Sequence, residues 1–277
     1  MTINRTLRLV VSACAIVAIA NGARATLYLS DDFSTYASGD LVGQNGWTQL
    51  GAAATLPLQV SGGRVLIPGA QTVDNQDAWK DNSAGVIPAP GSGTTSIFYG
   101  LGLTVQSAPA LGVGGITSPS YFAALYNGAG GTGFANERLT AIDNSAIVPG
   151  TYLLGARITG QAGDPFTYGG PLSYGTLYNV VVQADMVAGA GNDSLEIFVN
   201  GSLYANNLIG TGTDPTGIGS FVISQFASAT VGNSGVTISG VRIADNYDEA
   251  VVVVPEPGTL ALVGLGIAGL LVARRRA

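Results

Sequence analysis

From Thr95 to Gln106 the chain alternates. Tyr99, Leu101, Leu103 and Val105 fall on one side of an extended backbone, and Phe98, Gly100, Gly102 and Thr104 on the other. Successive side chains of a strand point to opposite faces, so this run predicts a strand with one strongly apolar side. Strand-like runs recur at Leu27 to Leu29, Leu58 to Val60, Arg64 to Ile67, Tyr121 to Tyr126, Tyr152 to Ile158, Leu177 to Met186, Leu195 to Val199, Phe221 to Phe226 and Val236 to Ile243. Gly, Pro, Asn and Asp separate them. Asn200-Gly201, between Val199 and Leu203, predicts a hairpin, because a type I′ turn needs positive φ at both central residues. Between the two ends, no stretch sustains the apolar spacing of a capped amphipathic helix. Strands without helices can bury their apolar sides only sheet on sheet. The expected fold is therefore all-β, a two-sheet antiparallel β-sandwich of the jelly-roll type.

The two ends follow other rules. Arg5 and Arg8 precede the apolar run Leu9 to Ala20, and Ala23-Arg24-Ala25 places small residues at the −3 and −1 positions of a cut before Thr26. That order predicts a secretory signal peptide over residues 1–25, which would remove the only cysteine, Cys14. At the other end, Pro255-Glu256-Pro257 is followed by the uncharged run Thr259 to Ala273 and by Arg274-Arg275-Arg276. Fifteen helical residues rise about 22 Å, which makes a minimal transmembrane helix against a hydrocarbon core of about 30 Å. The arginines act as a stop-transfer cluster on the cytoplasmic side, leaving the rest of the chain across the inner membrane. The prolines hold their segment extended, as a processing enzyme requires of its substrate.

This tail resembles the PEP-CTERM sorting signal of Gram-negative bacteria that make exopolysaccharide. The resemblance implies that exosortase, a membrane cysteine protease-transpeptidase, cuts near Pro255, Glu256 and Pro257 and releases or transfers the preceding domain. The chain thus divides into a signal peptide, an ectodomain over 26–250, and a sorting signal over 251–277.

From Thr26 to Val254, 16 acidic residues stand against five basic ones, a net charge of −11. Nucleic-acid binders need a basic footprint, so that partner class is excluded. The chain has no histidine, which removes Ser-His-Asp triads and His-ligated metals.

Asp31-Asp32-Phe33-Ser34-Thr35-Tyr36 followed by Gly39 to Trp47 resembles the opening of PEP-CTERM proteins with a concanavalin A-like or laminin-G-like jelly roll. Thr151 to Ile158, Leu195 to Gly201 and Ile238 to Ile243 resemble later strands of that fold. The fold class includes glucanases, which place carboxylates at alternating positions of one strand. Here the ectodomain has only Glu137, Glu196 and Glu249, and Asp193 stands three residues before Glu196, the wrong parity for a shared face. The expectation is a chain that is not an enzyme, with no catalytic residues.

Binding candidates are carboxylates and aromatics. Asp31 and Asp32, then Asp74, Asp77 and Asp81, then Asp245 and Asp248 could supply oxygens to calcium, though the commoner use of such aspartates is to bond local backbone. Trp79, within Asp77 to Asp81, is a candidate sugar-stacking residue, whereas the neighbours of Trp47 predict core packing. Tyr168 and Tyr174 lie in a Gly- and Pro-containing stretch, Phe166 to Gly175, read as a loop. The functional expectation is an exported surface or matrix protein associated with extracellular polysaccharide and anchored transiently in the inner membrane. The alternatives are a calcium-assisted lectin-like module and a glycan hydrolase or lyase.

Overall fold

A computed structural model describes residues 25–51, 57–67, 76–106, 121–130, 135–158, 166–206, 215–224 and 235–252. Ala23, Asp74, Pro255, Glu256, Pro257 and Arg274 to Arg276 lie outside the described residues, as do nearly all of the signal peptide and the apolar segment of the tail. The elements are β1 (Leu27–Asp31), β2 (Gly39–Asp40), β3 (Thr48–Leu50), β4 (Gln59–Ser61), β5 (Arg64–Ile67), β6 (Asp77–Asp81), β7 (Ile87–Pro88), β8 (Thr94–Val105), β9 (Ala123–Asn127), β10 (Ala135–Asp143), β11 (Thr151–Ile158), β12 (Thr167–Ser173), β13 (Leu177–Val187), β14 (Ser194–Val199), β15 (Ser202–Asn206), β16 (Gly217–Ser224), β17 (Val236–Ala244) and the helix α1 (Tyr247–Ala250).

Two antiparallel sheets carry the strands. The back sheet has nine, in the order β15-β14-β13-β8-β17-β5-β4-β2, with β1 also paired to β17. The front sheet has eight, in the order β12-β11-β10-β9-β16-β6-β3, with β7 paired to β16. Their facing sides form one core. Tyr99, Leu101, Leu103 and Val105 of β8 meet Phe221 and Ile223 of β16, Leu139 and Ala141 of β10, and Tyr152 and Leu154 of β11. Each such large apolar side chain contributes about 1.5–3 kcal/mol by leaving water. The alternation of β8 is therefore confirmed with its expected inner side. The hairpin is confirmed too: Asn200 and Gly201 take φ of 50° and 82° between β14 and β15.

Three readings change. Ala135 to Asp143, given no element from sequence, is a strand at the middle of the front sheet; the Glu137-Arg138 pair conceals its alternation. Thr167 to Ser173 is an edge strand rather than a loop; an edge position tolerates Gly169, Gly170 and Pro171. Asp77 to Asp81 is a strand, which places Asp77, Trp79 and Asp81 on one side of it.

The opening landmark has a structural employment. The Asp31 carboxylate is buried where β1 meets the front sheet, and its Oδ2 accepts from Trp47 Nε1 at 2.9 Å, Lys80 Nζ at 2.8 Å and the Tyr36 hydroxyl. Its Oδ1 accepts from Phe33 N at 3.2 Å. The pair ties β1 of the back sheet to β6 of the front sheet. Trp47, 1% exposed, packs beneath as expected. Glu137 is buried as deeply, but it projects between the sheets and its Oε2 has no hydrogen-bond partner. Burial pushes its carboxyl up to about 8, with the charge of Asp193 adding to the rise.

Candidate functional site

The outward side of the front sheet carries a second apolar cluster. Val222 of β16 and Ala124 of β9 point away from the main core, yet both are fully buried, because Tyr126, Tyr121, Trp79 and Leu50 pack around them. The strand register aligns six outward positions in one row across the sheet. Thr48 opposes Trp79, Trp79 opposes Val222, Val222 opposes Ala124, Ala124 opposes Arg138, and Arg138 opposes Arg157. At about 4.8 Å per strand, the distance from Trp79 to Arg157 is about 19 Å. Small residues thus fill the middle of the row, an indole stands towards one end and two guanidiniums at the other.

Aromatic rings support the cationic end. Arg138 lies 4.8 Å from the centre of the Tyr121 ring, and Arg157 lies 4.6 Å from that of Phe166. Phe166 in turn packs against Tyr168, 6.2 Å between ring centres. Tyr168 lies over Gly155, where a Cβ would come within 2.4 Å of its ring. Burial pushes the Tyr168 phenol up to about 12. The Tyr121 and Tyr126 hydroxyls share a hydrogen bond of 2.8 Å. Burial and that bond raise Tyr121 above its ordinary value, and burial also raises Tyr126. The Tyr121 and Tyr126 phenols stay protonated and bond to each other.

The sequence candidates distribute unevenly over this surface. Asp77, Trp79 and Asp81 all lie on it. Trp79 is half-buried, packed against the cluster rather than fully exposed. Asp77 accepts from Ser224 Oγ at 2.7 Å, and Asp81 accepts from Gly130 N at 2.8 Å. Tyr174 is elsewhere, stacked on Tyr152 and donating to Asp143 Oδ1 at 2.7 Å.

The other aspartates are occupied locally. Asp31 is the buried hub, its carboxylate accepting from four donors, the Lys80 ammonium among them. Asp32 accepts from the backbone and hydroxyl of Ser34, which hold its carboxyl below the ordinary value. Asp245 Oδ1 accepts from Thr26 N at 2.9 Å, and Asp248 belongs to the acidic first turn of α1. Among the described residues, no three His, Cys, Asp or Glu side chains converge to hold a metal ion.

Arg138, Arg157, Tyr121 and Tyr126 were not named as site residues from sequence. Tyr121 and Tyr126 bracketed a recognised strand run and Arg157 lay within another, but Arg138 sits on the unrecognised β10. The alternation of Leu139 and Ala141 into the core is the signal that could have found it.

Residues 253–276 match the model of the PEP-CTERM protein-sorting motif, which implies export and processing by exosortase at the membrane. No curated protein matches the chain. Among solved structures, the fold is similar to that of alginate lyase Aly36B, with a TM-score of 0.51 at 14% identity over 78% of this chain and 95% of that one. The CBM2 module of the evolved Dit of Lactobacillus casei BL23 phage J-1 gives 0.47 at 12% identity over 81% and 98%. The carbohydrate recognition domain of Emp47p gives 0.42 at 13% identity over 81% and 98%. At 14% identity the likeness to the alginate lyase is one of fold alone, a jelly-roll-like sandwich.

Proposed function

We propose that this exported protein is a non-catalytic component of the cell surface or extracellular matrix that binds exopolysaccharide across the outer side of its front sheet. The observation that carries the reading is the row from Trp79 to Arg157, with Tyr121 and Tyr126 beside it. Sugar rings have apolar faces that pack on aromatic rings and hydroxyls that bond to polar tips, so a flat strip of both suits an extended glycan.

The placement of the carboxylates supports a binding role over hydrolysis. Glu137 projects between the sheets, Glu196 belongs to the back sheet, and Glu249 is exposed on α1. Asp77 and Asp81 share the front surface but stand four residues apart on β6, about 13 Å, beyond the separations that glycosidases use. Raised phenols at Tyr121 and Tyr126 argue against a tyrosinate base.

The test is retention of the full chain, in detergent, on exopolysaccharide from the producing cells, with calcium and with chelator. Retention should survive chelation, and Trp79→Ala should weaken it about tenfold. Retention that vanishes with chelator would replace this reading with the calcium-assisted lectin, and Asp74 would then be the first residue to change. No retention in either buffer would end the glycan reading.

A further inference from the structure

We propose that the hairpin tip between β10 and β11, with Ile147 and Val148 at its apex, dips into the lipid surface to which the tail anchors the chain, so that the sandwich stands on the membrane by this tip. Its premise is the membrane-anchored processing that the sorting motif implies, and glycan binding is not required for it.

The residues between β10 and β11 form an unusual turn. Ile147 is 80% exposed and Val148 40%, and Ala146 and Pro149 beside them are exposed too. Among the described residues no other large apolar side chain stands so far in the open, and none of the other exposed ones has an exposed large apolar neighbour in the chain. No charged residue interrupts the stretch from Asn144 to Ala156. The turn cannot fold these side chains away, because its backbone is fixed. Ile147 N and Val148 N both donate to the Asn144 carbonyl at 2.9 Å, Thr151 Oγ1 donates to the Val148 carbonyl at 2.6 Å, and Gly150 takes a φ of 77°. A turn that satisfies its own backbone and still holds two aliphatic side chains outward presents an apolar knob.

The knob lies at the end of the sandwich towards which the tail leaves. β8 runs to that end: the Val105 carbonyl accepts from Gly175 N at 2.8 Å, and Tyr174 N donates to the Gly150 carbonyl at 3.1 Å. The segment leading to the sorting motif advances the same way. Ala250 lies against Gly100, and two residues later Val252 lies against Gly240 and accepts from Asn179, the strand partner of Gly102. From the level of Gly102 to that of Val105 is about 10 Å, and Ile147 stands three residues beyond Gly150, so the tip lies about 15–20 Å past Val252. Seven steps of chain separate Val252 from Thr259, where the uncharged run begins, a reach of at most about 25 Å. That reach covers the tip but falls short of the twelve-residue length of β8, about 40 Å. The end that carries the tip is therefore the end that meets the membrane.

Two aliphatic side chains hold a free protein to lipid weakly. Tethering by the tail makes their insertion an intramolecular step at high effective concentration. The net charge of −11 from Thr26 to Val254 keeps the rest of the surface from competing for anionic lipid. Standing on the tip sets the strands upright and leaves the outer side of the front sheet in the aqueous space.

The experiment places an environment-sensitive fluorophore on the full chain in phosphatidylcholine vesicles. In a chain whose Cys14 is changed to Ser, the label is attached through Ala146→Cys at the tip or through Val86→Cys, which precedes β7 at the opposite end and is 48% exposed in the parent. Lipids carrying a nitroxide high on the acyl chain should quench about half of the emission at 146, since interfacial apolar groups rest about 5–10 Å deep, and little of that at 86. Ile147→Ser with Val148→Ser should abolish the quenching at 146 while the chain still floats with the vesicles.

A label at 146 that stays unquenched on a floating chain would overturn the proposal, as would equal quenching at 146 and 86. Quenching that survives Ile147→Ser with Val148→Ser would remove the apolar pair from its cause. A blue shift at 146 without quenching would assign the tip to a second copy of the chain instead of lipid. Failure of the parent chain to float would take away the anchor and the proposal together.

Discussion

The two sheets turn their outer sides to different uses. Behind the back sheet, Val181, Ala244 and Phe98 are covered by the chain itself: α1 lies there, capped by Asn246, and Tyr247 packs edge-on against Phe98 and Phe198. The carbonyl of Val252 then accepts from Asn179 Nδ2 at 2.8 Å, just before the sorting motif begins at residue 253. On the front sheet, the described residues supply a row of side chains with an indole towards one end and two arginines at the other. One outer side holds the tail's point of departure, and the other carries the row proposed to bind glycan. A sandwich with a single core can divide its labour this way because the alternation that buries one side of every strand leaves the opposite side chains free to vary.

The sharpest way to break the contrast is to cut the tie between the sheets. Asp31→Ala leaves the Lys80 ammonium, the Trp47 indole N–H and the Tyr36 hydroxyl without their shared acceptor, and should cost about 3–5 kcal/mol. Urea unfolding reads this directly, and a cost below about 1 kcal/mol would show that the hub is dispensable.

Next comes the buried carboxyl between the sheets. The Glu137 side chain has its folded value raised to about 8 by burial, against an ordinary 4.5. The folded state therefore holds the proton more tightly than the unfolded one. Stability is greatest below pH about 4.5 and falls as pH rises through the window to about 8, with a cost on the order of 3 kcal/mol at pH 7. Glu137→Gln should flatten that slope while leaving glycan retention unchanged, as measured by unfolding midpoints across the same window. A slope that persists in the variant would assign it to other groups.

The smallest effect isolates the closed side. A Cβ at Gly100 would sit 1.9 Å from the Ala250 carbonyl oxygen, which no side-chain rotation can clear, so Gly100→Val should displace α1 at a cost of about 1–3 kcal/mol. Retention on glycan should remain within about twofold of the parent, because the front row is untouched. A large fall in retention with an intact front sheet would mean that the two outer sides are coupled.

Sequence reading reached the strands whose inner sides are plainly apolar, such as β8, β11 and β13, and the turn whose φ requirements name Asn and Gly. It missed β10 and β12 for physical reasons: one carries a buried glutamate beside an arginine, and the other is an edge strand that tolerates residues usually found in loops. Within the candidate site, Asp77, Trp79 and Asp81 were found because they are neighbours in sequence. Arg138 and Arg157 were not, because nothing local distinguishes them.

What the sequence by itself determined is the all-β class and the order of motif, apolar run and arginines in its tail. Period two, positive φ and tail order are properties of short segments, and short segments carry them openly. Only the tertiary structure decided that Asp31 would be the acceptor for Lys80, 49 positions away, and that residues 48, 79, 222, 124, 138 and 157 would stand in one row. Alternation tells which side of its strand a residue takes. Which strands become neighbours, and in what register, is settled by burying the cores of both sheets at once.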